Sequence, residues 1–436
     1  METTMRGLTK YQWTVFFAAW LGWGFDIFDA MLFNFVAPNA IPTLLGLEIG
    51  SPEAKDAVYR WTGIMTSALL VGWAVGGVIF GKIADRIGRT KTLALTMAMY
   101  SIGTAMCAFA PNIEILLLCR VIAALGIGGE WAAGAAMVAE VIPGEKRVEA
   151  GALLYTSAPF GLALAMGVNY VIAGDLFAHT PEMSWRYALA FGLVPAIIAF
   201  IIRLFIKEPE VWVNMEDKES MGRISDLFKP GYRPLTVSGL LVVFTALIVW
   251  WSANAFLPII ANGLAQIQAK ADGLDLKATL ALGETWKLNA TTYFNVGGFL
   301  GTLLTIPFAK IMGRKMMFKI YFFFSILSML GTFGLDLAPE TRLYGYFFIG
   351  VFVFGIFGAF TFYLPELFPT RIRGTGSGFC YNIGRIVAAA GPLVVGAAST
   401  TEAAMNVLFW IGLVPIIGII AMPWIIETKG RAIVDK

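Results

Sequence analysis

Twelve apolar runs divide this chain, at about 13–38, 61–81, 92–110, 113–141, 151–174, 186–207, 235–262, 288–310, 316–336, 341–368, 374–399 and 403–426. A helix of about 20 residues matches the thickness of a bilayer's hydrocarbon core. Backbone in lipid must satisfy its own hydrogen bonds, so runs of this length predict an all-α membrane protein. Charged residues make up 14% of the chain, against about 25% in soluble domains, and the mean hydropathy is +0.73. A net charge of +3 gives no basic footprint for nucleic acid, and none is expected as a partner. Met1–Lys10 is polar and the run after it is too long and too acidic for a cleaved signal, so a retained first helix is expected.

The cations are unevenly placed. If the N-terminus is inside, loops and ends on the cytoplasmic side hold 22 Lys or Arg. External loops hold 7 (Lys55, Arg60, Arg186, Lys270, Lys277, Lys287, Arg342), and Arg120, Arg203 and Arg385 fall within spans. That bias predicts both termini in the cytoplasm. The longest cytoplasmic loop separates a six-helix bundle at 1–207 from another at 235–436, with 208–234 as the connection. An internal repeat supports the division. Glu140, Pro143 and Arg147 recur 226 residues later as Glu366, Pro369 and Arg373, and Gly88-Arg89 recurs 225 later as Gly313-Arg314. Duplicated halves suit a carrier whose site lies between them near the midplane.

Asp26 and Asp29 stand near the middle of the first run, and at about 100° per residue they share one helix face. A carboxylate at that depth faces a bundle interior or a watery cavity; the alternative is that each only hydrogen-bonds a helix loosened by Gly22 and Gly24. Arg120 and Glu130 lie ten residues apart on span four, about 280° around the helix, so each needs a partner elsewhere. Asp26 or Asp29 suits Arg120, either as a structural ion pair or beside a substrate. Arg385 lies eleven residues into span eleven, about 16 Å deep at 1.5 Å per residue. Tyr381 and Asn382 precede it on roughly the same face, and a guanidinium fork with a phenol and an amide suits a carboxylate. An inter-helix salt bridge is the alternative. Tyr155, Trp250, Trp251, Asn254, Asn295 and Tyr363 are further contact candidates.

Cys107, Cys119 and Cys380 have no metal or disulfide spacing, and His179 is the single histidine. No nucleophile–base pair, phosphate loop or metal cluster is legible, so no enzyme, no metal and no cofactor other than protons is expected.

The stretch Gly81-Lys-Ile-Ala-Asp85-Arg86-Ile-Gly88-Arg89-Thr-Lys91 resembles the loop signature of the major facilitator superfamily. The Glu140–Arg147 and Glu366–Arg373 segments, and the ending Glu427-Thr-Lys-Gly430-Arg431, resemble that superfamily's sugar-porter-type branch. Asp26-Ile-Phe-Asp29 with Pro38, Gly126-Ile-Gly-Gly129-Glu130-Trp131 and Gly378-Phe-Cys-Tyr381-Asn382-Ile-Gly384-Arg385 are similar to organic-anion:proton symporters of the aromatic-acid and sialate/lactate types. Asn34 replaces the Gly usual in aromatic-acid symporters, and Lys310 stands where the second loop signature would have its Asp. The resemblance implies the major facilitator fold and a cytoplasmic latch of Asp85, Arg86, Gly88, Arg89, Glu140, Arg147, Glu366 and Arg373. In that latch Asp85 would lie near the N-terminal end of span eleven, where a carboxylate is favourable by about 0.3–1 kcal/mol.

These readings converge on a monomeric, multi-pass protein of a bacterial-type inner membrane that imports a small organic anion with protons. Arg385 would hold the carboxylate and Asp26, Asp29 or Glu130 the proton. A sugar or polyol symporter, an exporter and a non-transporting sensor are the alternatives. The chain's end at Lys436, nine residues after Glu427, leaves no room for a signalling domain.

Overall fold

The computed structural model describes residues 7–143, 146–204, 223–369 and 372–430, and among them all regular structure is helical. Twelve rods alternate between two faces: α1 (Lys10–Leu45), α2 (Pro52–Ile87), α3 (Arg89–Ala108), α4 (Ile113–Val141), α5 (Arg147–Tyr155, Ser157–Val171 and a π turn Ile172–Leu176) and α6 (Pro181–Phe191 and Leu193–Leu204). After the connection come α7 (Arg233–Ala271), α8 (Leu276–Ile311), α9 (Arg314–Gly334), α10 (Pro339–Ile349, a π turn Gly350–Phe354, and Phe357–Leu367), α11 (Arg373–Ala388 and Ala390–Gly396) and α12 (Thr401–Ile411 and Pro415–Ile420). Nine of these rods are apolar and long enough to span a membrane by length and composition among the described residues; α3, α4 and α6 complete the twelve. The near face is the one where α1 begins, and the far face is its opposite.

The rods overrun the apolar runs because polar caps set their ends. Thr9 and Gln12 cap α1 reciprocally, Ser51 caps α2 ahead of Pro52, and the Asp275 carboxylate accepts the Ala278 N–H at 2.7 Å to start α8. The capping oxygens satisfy N–H groups that have no partner within the helix. One expectation is corrected here. All seven cations assigned to external loops lie inside helices, since Lys55 and Arg60 are in α2, Arg186 in α6, Lys270 in α7, Lys277 and Lys287 in α8 and Arg342 in α10. Hydropathy reads only the lipid-matched middle of a helix; caps extend it beyond.

The first six and last six helices meet along a seam that is closed at both faces. A Cβ on Gly63 of α2 would come within 2.6 Å of the Pro392 carbonyl of α11. On the far face the Tyr59 hydroxyl donates to Thr401 at 3.1 Å. On the near face Lys310 of α8 forms an ion pair with Glu149 of α5, so the lysine that breaks the second loop signature has a partner on the first six helices.

The repeat is visible in backbone geometry. Gly88 (φ 111, ψ 157) ends α2 and opens α3, and Gly313 (φ 87, ψ 166) does the same between α8 and α9. Only glycine adopts this region readily; other residues are strained there by about 1–3 kcal/mol. A Cβ on Gly313 would also lie 2.6 Å from Glu427 Oε2. Gly313→Ala is therefore expected to lower the thermal midpoint of the detergent-purified protein by several degrees; an unchanged midpoint contradicts this account of the turn.

Glu427 caps α9. Its carboxylate accepts the backbone N–H groups of Arg314 and Lys315, each at 3.0 Å, and of Lys429 at 2.8 Å. Beside it Glu366 accepts Arg314 Nε at 3.0 Å and Nη2 at 2.6 Å, and the Thr428 hydroxyl at 2.6 Å. Arg373 Nε donates to the Pro365 carbonyl at 3.1 Å. The side chains of Asp85, Arg86, Arg89, Glu140 and Arg147 lie outside the described residues. Partial burial pushes the Glu427 carboxyl up, but the three N–H donors and the Arg314 charge outweigh it and hold it below the usual carboxylate range. A carboxyl depressed on folding adds stability above its unfolded value, about 4.3, and that stability is lost as pH falls through the folded value. The thermal midpoint should therefore fall on acidification below about pH 4.3 less steeply in Glu427→Gln than in the wild type. Parallel curves would remove Glu427 from the latch.

Candidate substrate and proton site

Arg385 of α11 is 3% exposed, in the middle of the protein. Its Nη1 donates to Asn382 Oδ1 at 2.9 Å, one turn earlier on the same helix. The guanidinium carbon lies 4.5 Å from the centre of the Tyr381 ring, and 4.2 Å from that of Trp73 on α2, across the seam. Arg385 also interacts electrostatically with Tyr155 of α5 and Asp26 of α1. Three residues read from the α11 motif thus gather at one point, facing the first six helices.

An aromatic belt continues from Trp73. Trp73 meets Trp251 edge to face at 5.9 Å, and Trp251 meets Trp250 at 4.7 Å. Trp250 contacts Phe354 and Phe357 of α10, which in turn pack on Tyr155. Tyr155 closes against Trp23 of α1. The belt takes rings from both sets of six helices. Ring faces and edges of this kind bind planar apolar groups and cations well. Asn254 of α7 donates to the Met31 sulfur of α1 at 3.0 Å, again across the seam. Asn295 of α8 is 7% exposed, and neither atom of its amide is hydrogen-bonded to protein. A buried polar group without a partner costs about 1–3 kcal/mol, so Asn295 marks a place where a polar guest is favoured.

The two aspartates part company. Asp29 faces inward among the first six helices, where Thr104 of α3 donates to its Oδ1 at 2.6 Å. Arg120 donates to the backbone carbonyls of Asp29 and Ala30, at 3.2 and 3.0 Å, with its guanidinium over Phe33. Asp26, 2% exposed, is instead the aspartate whose charge is felt by Arg385. Tyr363 is not brought to this centre: its hydroxyl bonds Ser238 at 2.8 Å and the Ile426 carbonyl at 2.9 Å, holding the end of α12 against α7 and α10. The Glu130 side chain lies outside the described residues.

Sequence reading passed over two features. Trp73 was unremarkable because its partner is more than 300 residues away. Lys287 was assigned to a loop, yet it is 3% exposed within α8, paired with Glu284 at 2.6 Å. The Asp275 cap, three residues before Ala278, is the signal that would have extended α8 to include both.

Twelve membrane-crossing rods with polar side chains gathered at a central seam define a membrane transporter, not an enzyme. The chain matches the Major Facilitator Superfamily over residues 19–392 and belongs to that family. It is similar to the probable 4-methylmuconolactone transporter of Cupriavidus pinatubonensis, at 30% identity over 97% of this chain and 92% of that one. It is also similar to the putative niacin/nicotinamide transporter NiaP of Bacillus subtilis, at 28% identity over 94% and 95% of the two chains. Among solved structures, the partially occluded inward-open xylose transporter XylE from E. coli superposes with a TM-score of 0.74 at 16% identity. That match covers 97% of this chain and 100% of XylE, and it shows the shared fold.

Proposed function

We propose that this transporter is a proton-coupled symporter that carries a small organic anion into the cell. The observation that supports this reading is Arg385, buried at the seam between Trp73 and Tyr381 with Asp26 in electrostatic reach. Arg385 holds the carboxylate and the aromatic belt holds the body of the substrate. The names of the similar proteins fit such a cargo, niacin being an aromatic ring bearing a carboxylate.

Coupling follows from competition for one cation. An arriving carboxylate takes Arg385 and leaves Asp26 next to a second anion in a low-dielectric site, where a carboxyl binds a proton more readily. Anion and proton therefore promote one another's binding, and the promotion is reciprocal. Asp29 and Glu130 are the alternative carriers. The loaded site is closer to neutral, and the bundles at 1–207 and 235–436 rock about it, joined by 208–234. The near face is the cytoplasmic one, the membrane is a bacterial inner membrane, and the working unit is the monomer.

Uptake into vesicles under an imposed inward proton gradient tests the reading, with labelled nicotinate, gentisate, nicotinamide and xylose. The expected result is acceleration of one or both acids alone. Gradient-driven xylose uptake without acid uptake would overturn it.

A further inference from the structure

We propose that the cleft on the far face is a second carboxylate site, with Lys287 as receptor and Glu284 as its exchangeable built-in occupant. This rests on the reading above only in taking the cargo to be an anion. The cleft encloses about 660 Å³ between the ends of α1, α2, α7 and α8. Val58 and Ile259 supply apolar walls, and Tyr59 and Asn262 supply polar ones.

At its floor the Lys287 ammonium donates to Glu284 Oε1 at 2.6 Å and to the Phe35 carbonyl of α1 at 3.4 Å. The other Glu284 oxygen accepts the Asn169 amide of α5 at 3.0 Å. A buried ammonium needs an anion, since an uncompensated charge there is strongly disfavoured. Here the anion comes from one turn away on the same helix. The Glu284 side chain is 17% exposed, so the pair can be reached from the cleft.

A free carboxylate has the same functional group as Glu284. It can replace Glu284 on Lys287 with no loss of charge pairing, while Glu284 turns toward Lys55, which lines the same cleft. With two cations and one carboxylate at its wall, the cleft draws anions from solution. The exchange has a mechanical result as well. Glu284 is bound to α5 through Asn169, and Lys287 to α1 through Phe35, so seating a carboxylate there releases contacts between α8 and the first six helices. The site is thus a staging point between solution and Arg385.

Glu284→Gln keeps the shape but vacates the ammonium. In nanodisc-reconstituted protein it should bind nicotinate at least ten times more tightly than the wild type, measured by calorimetry. Nicotinamide, the uncharged twin, should show no gain. Adding Lys287→Met should abolish the gain. Asn169→Ala, which loosens Glu284 without changing any charge, should strengthen nicotinate binding a few-fold and covers the case in which Glu284→Gln does not fold. Unchanged nicotinate affinity in folded Glu284→Gln, or a gain shared by nicotinamide, would overturn the proposal. Acid-selective, gradient-driven uptake alongside that result would leave the symporter reading standing; a gain in Glu284→Gln without such uptake would do the reverse.

Discussion

Arg385→Lys is expected to lower kcat/KM for acid uptake about 10- to 100-fold, with a neutral cargo unaffected. A hydrogen bond to a charged group contributes roughly 1.5–3 kcal/mol, and lysine loses the planar fork that meets two carboxylate oxygens at once. It also loses the flat face that lies against Trp73 and Tyr381. The measurement is the initial rate of labelled nicotinate or gentisate uptake, with the amount of folded protein matched by gel filtration. Acid uptake at the wild-type rate would leave Arg385 as a structural link between α11 and α2. Arg385→Ala should abolish uptake, because Asn382 then has no guanidinium to orient and the seam no fixed cation.

Asp26→Asn should abolish concentration of the substrate while sparing exchange. One pH unit is worth about 1.4 kcal/mol per proton, or tenfold accumulation. The wild type under such a step should therefore concentrate its acid severalfold, whereas Asp26→Asn should only equilibrate it. Counterflow between labelled and unlabelled acid needs no net proton movement and should persist. Asp29→Asn is a useful contrast, since Thr104 and Arg120 bind around Asp29 within the first six helices. Its main expected effect is a lower thermal midpoint, because the buried Arg120 loses its nearest anion. Uncoupling by Asp29→Asn or Glu130→Gln, with full accumulation in Asp26→Asn, would move the proton from Asp26 to that residue.

How much was legible in the sequence depended on how far apart the determinants lie. Local rules worked: the twelve apolar runs mark the cores of twelve rods, and the repeated Gly-Arg steps mark two turns with the same positive φ at Gly88 and Gly313. The register of Tyr381, Asn382 and Arg385 places all three together because they occupy successive turns of one helix. Contacts between distant helices were not legible. Nothing near Trp73 announces that it will lie over Arg385, and nothing near Lys310 announces Glu149. Asp26 and Asp29 share a helix face by spacing, yet one is drawn toward the seam and the other toward α3 and α4. That split is decided by which helices pack on either side of α1, information a single helix does not contain.

The helix α8 carries both Lys287, fastened to Glu284 and Phe35 near the far face, and Lys310, fastened to Glu149 near the other. These lysines are 23 residues apart, about 35 Å of rise at 1.5 Å per residue. Both fastenings lead to α5, through Asn169 at one end and Glu149 at the other. Unhooking one leaves its counterpart as the fulcrum, so a stiff lever crossing the whole bilayer ties what happens at one water surface to the gap that can widen at the other.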